Sequence, residues 1–146
     1  MGRRTSWVQK DRVLLIHFWG ELTTVDIQEE NNFALKLVEA SSSDIVHVIV
    51  DVSQVTEHPR YFSRLLRSFS VYQEAKLGYI TTITKDNLLR FMLTGVSAVG
   101  RSRRAYNFRT LANAVRFLQM RDVEISTTLY DDCLRYINPV QERGTD

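Results

Sequence analysis

The run Ile45-Val46-His47-Val48-Ile49-Val50-Asp51-Val52-Ser53 constrains this chain more than any other stretch. Six of its first eight residues are β-branched. Such residues are stiff at χ1 and pack well on a pleated surface, so the run predicts a buried strand. It is too short to cross a membrane. Apolar side chains at nearly every position predict a strand covered on both faces, as in the interior of a parallel sheet.

The segments before it supply partners. Residues 6–9 and 12–19 predict two strands joined by a tight turn at Lys10-Asp11. Gly20 ends the second. Thr23 or Thr24 then caps a helix, with Asp26, Glu29 and Glu30 near its positive end. Ile27, Asn31, Ala34, Leu35 and Val38 recur at helical spacing and form its inward stripe. Ser41-Ser42-Ser43-Asp44 breaks the pattern before the central strand.

The segments after it alternate. Gln54 to His58 reads as a loop, and Pro59 opens a second helix with Phe62, Leu65, Leu66, Phe69 and Tyr72 on one side. Residues 77–84 predict a strand. Asp86 caps a third helix over about 87–99. Residues 101–108 predict a last strand centred on Ala105-Tyr106. Thr110 to Gln119 predict a fourth helix, packed through Leu111, Ala114, Val115 and Leu118. Residues 128–137 predict a short further helix, with fraying from Pro139. Alternation with short connections predicts an α/β fold with a mostly parallel central sheet of about five strands, an N-terminal hairpin and about four helices. The expected domain is 1–122, with 123–146 as a C-terminal extension packing on it or fraying from it.

In order, these features resemble the STAS superfamily, and within it the SpoIIAA-like (STAS/SEC14-like) branch. The resemblance is carried by the opening hairpin and Gly20-Glu21-Leu22-Thr23 before the first helix. Val48-Ile49-Val50-Asp51-Val52-Ser53 closing the central strand adds to it, as does Tyr106-Asn107-Phe108 followed by Thr110 to Leu118. It spans about residues 5–120. It implies a bacterial regulatory module that works by binding. Phosphorylation-controlled members carry an Asp-Ser pair at the helix after the central strand. Here Pro59-Arg60 stands at that place, so the switch serine is missing and a fixed positive charge replaces it.

Composition narrows the function classes. The chain has 146 residues and one cysteine, Cys133, so it forms no internal disulfide, which favours a reducing, cytoplasmic setting. No apolar run approaches about 18 residues, so no transmembrane helix is expected. The basic Met1-Gly2-Arg3-Arg4 start lacks the apolar stretch of a signal peptide. Net charge is +2, divided as −2 over residues 1–75 and +4 over 76–146. Fifteen arginines against four lysines suit bidentate anion contacts, though genome composition explains the bias equally well.

No P-loop, Rossmann glycine pattern or Gly-x-Ser-x-Gly elbow is present. His17 and His47 would form a metal pair only if their strands were adjacent in register; a satisfied core position is the plainer expectation for each. Asp51 and Ser53, at the end of a strand, would act as base and nucleophile only with a histidine such as His58; hydrogen bonds to the local loop are again the plainer expectation. The chain is therefore expected to be no enzyme and to need no cofactor or metal.

Two surfaces invite partners. The third helix is apolar on more than one face, through Phe91, Met92, Val96 and Val99 among others, and would meet a protein, a second copy or a lipid unless the C-terminal tail covers it. Arg60, Arg64, Arg101 and Arg104 stand in acid-poor segments that would face phosphate groups or an acidic partner. Nucleic acid is not expected. The expected function is a non-catalytic STAS-like interaction or regulatory module, possible as a homodimer through the third helix. The alternative is a carrier or sensor of a small apolar or lipid-like ligand.

Overall fold

The computed structural model describes residues 2–57, 75–85 and 105–145, the last eight by backbone course alone. Five strands form one sheet in the order β1-β2-β3-β4-β5. β1 (Gly2–Gln9) pairs antiparallel with β2 (Val13–Glu21). β3 (Val46–Glu57), β4 (Leu77–Ile83) and β5 (Ala105–Phe108) follow in parallel. Three helices lie among the described residues: α1 (Thr24–Glu39), α2 (Leu111–Arg121) and α3 (Leu129–Thr145). The predicted helices after Pro59 and Asp86 lie outside the described residues. No helix among the described residues is long and apolar enough to cross a membrane.

Strand alternation sorts the core into two layers. Leu14, Ile16 and Phe18 of β2, with Val46, Val48 and Val52 of β3, bury against Ile27, Ala34 and Val38 of α1. Val13 and Leu15, with Ile49 and Ile83, bury on the other face under Ala114, Val115 and Leu118 of α2 and Leu129, Cys133 and Ile137 of α3. The tail helix is therefore part of the second core layer.

The caps follow the sequence. Thr23 accepts from the Asp26 amide, and Asp26 accepts from the Thr23 amide, which closes a capping box on α1. Thr110 caps α2 by accepting from the Asn113 amide.

Four expectations are corrected. The hairpin loop is Lys10 to Arg12, with Asp11 at φ 60 in the left-handed region that a short polar side chain tolerates. β3 does not stop at Ser53: Gln54 and Val55 stay paired with Trp19 and Gly20 of β2, and the Leu22 amide donates to the Glu57 carbonyl. Pairing with a long neighbour outweighs the polar composition of that stretch. α3 also runs beyond the expected end at Ile137, through Pro139 to Thr145. Ile45, at the head of the predicted strand, is exposed and precedes β3.

Candidate functional site

In an open α/β sheet the carboxyl ends of parallel strands are the usual place for ligands. Here His17, in the middle of β2, meets Asp51, Ser53 and Gln54 in the middle of β3, level with the carboxyl end of β4 at Ile83. His17 stands opposite Asp51, and Arg4 of β1 stands opposite His17, so the three form one row across the sheet.

A bulge builds the rest. Between the His17–Asp51 and Trp19–Gln54 pairs, β3 carries one more residue than β2. An extra residue shifts the alternation and takes an amide out of the ladder. Asp51 answers that loss. Its Oδ1 accepts from the Ser53 amide at 2.9 Å and from the Ser53 hydroxyl at 2.6 Å. The shift also turns Gln54 toward His17, whose Nε2 lies 3.1 Å from Gln54 Oε1. With the amide oxygen as acceptor, His17 carries its proton on Nε2 and presents a bare Nδ1. That nitrogen is buried and has no hydrogen-bond partner among the described residues. Burial lowers the pKa of His17 from its ordinary value. Asp51 and Gln54 oppose the shift, and Arg4 adds to it.

This arrangement does not align a base with a nucleophile. The Ser53 hydroxyl donates to Asp51, and the His17 Nε2 proton goes to Gln54. His58 lies outside the described residues. The plainer expectation for Asp51 and Ser53, local hydrogen bonding, fits this geometry, although the partner is a bulge within the strand and not a loop.

His47 occupies the other end of the same face. It stands opposite Val13, four residues before His17, so the two rings are separated by about 13 Å along the strands. Adjacent strands do not bring them into register as a metal pair. His47 is buried and accepts the Tyr79 amide at Nδ1, 3.0 Å away, so its proton sits on Nε2 and is donated to Asp122 Oδ2 at 2.8 Å. Arg12 Nη2 donates to Asp122 Oδ1 at 3.0 Å, and its Nε lies 2.9 Å from Oδ2. Burial alone would raise the Asp122 carboxyl. The hydrogen bonds from Arg12 and His47, with the Glu124 amide, outweigh it and hold the group at about 2. Asp122, just past α2 where the sequence pattern fades, is the partner that sequence reasoning missed. A histidine on a buried strand was the available signal that some such acceptor existed.

The Tyr79 ring stacks on His47 and meets Phe117 edge-on, and Phe117 also touches Tyr106 and Phe108. Arg121 lies over Phe117 with its guanidinium carbon 4.9 Å from the ring centre. Arg121 and Arg116 are exposed on α2, and Arg109 is exposed after β5. Of the predicted interaction residues, Phe91, Met92, Val96, Val99, Arg60, Arg64, Arg101 and Arg104 all lie outside the described residues.

No family model and no curated protein matches this chain. Solved structures do. An uncharacterised DUF3478-family protein with a SpoIIAA-like fold from Shewanella loihica PV-4 superposes with a TM-score of 0.58 at 11% identity, over 80% of this chain and 92% of that one. The anti-sigma factor antagonist SpoIIAA in its unphosphorylated form gives a TM-score of 0.57 at 11% identity, over 82% of this chain and 97% of that one. The fold is SpoIIAA-like. The α/β order with a hairpin-led sheet, expected from the sequence, is the SpoIIAA-like order. Within it, the Asp51–Ser53 bulge clamp sits on β3 and the His47–Asp122–Arg12 cluster ties β2, β3 and the end of α2 together.

Proposed function

We propose that the chain is a non-catalytic, STAS-type regulatory module that acts in the cytoplasm by binding another protein. The observation that carries this reading is the internal use of the polar groups of β2 and β3 that lie level with the carboxyl end of β4. The Ser53 hydroxyl is held by Asp51, so the residues best placed for chemistry are committed to shaping β3. The anti-sigma factor antagonist SpoIIAA shares the fold, which supports a protein-binding role. Pro59-Arg60 in place of the Asp-Ser pair argues for control by something other than a phosphate on that serine. The residues assigned to docking in this reading are Phe91, Met92, Val96 and Val99, together with Arg60, Arg64, Arg101 and Arg104.

The test is native mass spectrometry on gently purified protein, with the variant F91E/M92E beside it. A stoichiometric protein partner held by the wild type and lost by the variant supports the reading. A discrete small mass that extracts into organic solvent replaces it with a carrier of an apolar ligand.

A further inference from the structure

The sheet has an open edge at β1. In an edge strand every second residue directs its amide and carbonyl away from the sheet. Along Gly2 to Val8 the outward groups have no hydrogen-bond partner among the described residues. Natural edges are usually guarded by charged side chains. This strand carries two arginines, and both are drawn away from the edge. Arg3 is held on the α1 side, with Nη1 2.6 Å from Asp26 Oδ1 and further ion pairs to Glu29 and Glu30. Arg4 lies on the opposite side of the sheet, its guanidinium carbon 5.0 Å from the Tyr136 ring centre. The remaining residues, Thr5 to Val8, are uncharged.

We propose that β1 is a self-association edge, through which two copies of this chain pair antiparallel and join their sheets into one. The strand is self-complementary. A two-fold axis perpendicular to the sheet keeps each face with its own kind, so it must pass through a residue. Centred on Arg3 or Arg4, it would set that arginine against its copy. Centred on Thr5, it sets Arg3 opposite the partner's Trp7 and Arg4 opposite the partner's Ser6. Centred on Ser6, it sets Arg3 opposite the partner's Gln9 and Arg4 opposite the partner's Val8. Neither register sets one arginine of β1 opposite another, and the Ser6 register also keeps apart the two Glu30 carboxylates that hold Thr5. Trp7 and Val8 each stay on the face whose core they already join.

The experiment is sedimentation of the full chain across the micromolar range, with Ser6→Lys and two cysteine variants. Ser6→Lys puts a lysine opposite Arg4 in one register and opposite itself in the other. The expected result is a dimer whose mass halves in Ser6→Lys with an unchanged far-UV spectrum and melting curve. Either Thr5→Cys or Ser6→Cys, whichever lies on the axis, locks as a disulfide dimer under mild oxidation. The F91E/M92E variant keeps this dimer, which separates failure here from failure of the proposed docking face. A monomer throughout the range overturns the proposal, as does a dimer that survives Ser6→Lys. Failure of both cysteines to cross-link overturns it also if Ser6→Lys does not fold. Capture of a foreign extended peptide by a monomeric chain overturns the second copy as occupant.

Discussion

Asp122 accepts a hydrogen bond from His47 Nε2 at 2.8 Å, across 75 residues of sequence. The bond joins the end of α2 to the buried start of β3. It also fixes the His47 tautomer, because Nδ1 accepts from the Tyr79 amide. Arg12 completes the cluster from the start of β2.

Asp122→Asn should therefore cost about 1–3 kcal/mol, since it removes the charge that His47 and Arg12 share and leaves their donors poorly matched. Urea unfolding at neutral pH measures it. The pH dependence has a definite sign. The carboxyl lies at about 2 in the folded chain against an ordinary 3.8. Its contribution is present above 3.8 and is lost as pH falls toward 2. The stability gap between wild type and Asp122→Asn should stay constant from pH 7 to 5 and narrow below pH 4.

His17 should act in a higher window. Burial lowers its pKa from 6.5, so the unfolded chain takes up a proton that the folded chain resists. Stability is unaffected by this group above 6.5 and declines as pH falls below it. His17→Gln should flatten the slope of unfolding free energy between pH 7 and 5. An unchanged slope would show that His17 does not titrate differently on folding.

Gly78 is required by the His47 ring. A Cβ built there would stand 2.5 Å from His47 Nδ1 and 2.8 Å from Ile45 Cγ2. The neighbouring Tyr79 amide uses the same nitrogen. Gly78→Ala should destabilise by about 1–3 kcal/mol through overpacking, read as a lower melting temperature.

Cys133 should be inert in the folded protein. Burial first, then Asp132 and Asp51, push its thiol up to about 12. A thiol reagent at pH 8 should label it only after denaturant is added. Labelling at the native rate of a free thiol would mean that α3 opens readily from the sheet.

The strands, the caps and the fold class were legible because their signals are local. Six β-branched residues among eight, Thr23 three residues before Asp26, and Leu111, Ala114, Val115 and Leu118 at helical spacing each specify an element from its own side chains. Their order then leaves few topologies, and the SpoIIAA-like one is among them. The polar arrangement was not legible in the same way. His17 and His47 sit on one face of neighbouring strands, and only the register places them beside Asp51 and Val13. One extra residue in β3 turns Gln54 toward His17 and gives the Asp51–Ser53 pair its local task. Asp122 meets His47 only because α2 packs across the sheet. Thus the amino-acid sequence by itself determined which segments are strands and helices, through period and capping. Tertiary structure alone decided which buried polar groups meet, because strand register and helix docking are set by contacts far apart along the chain.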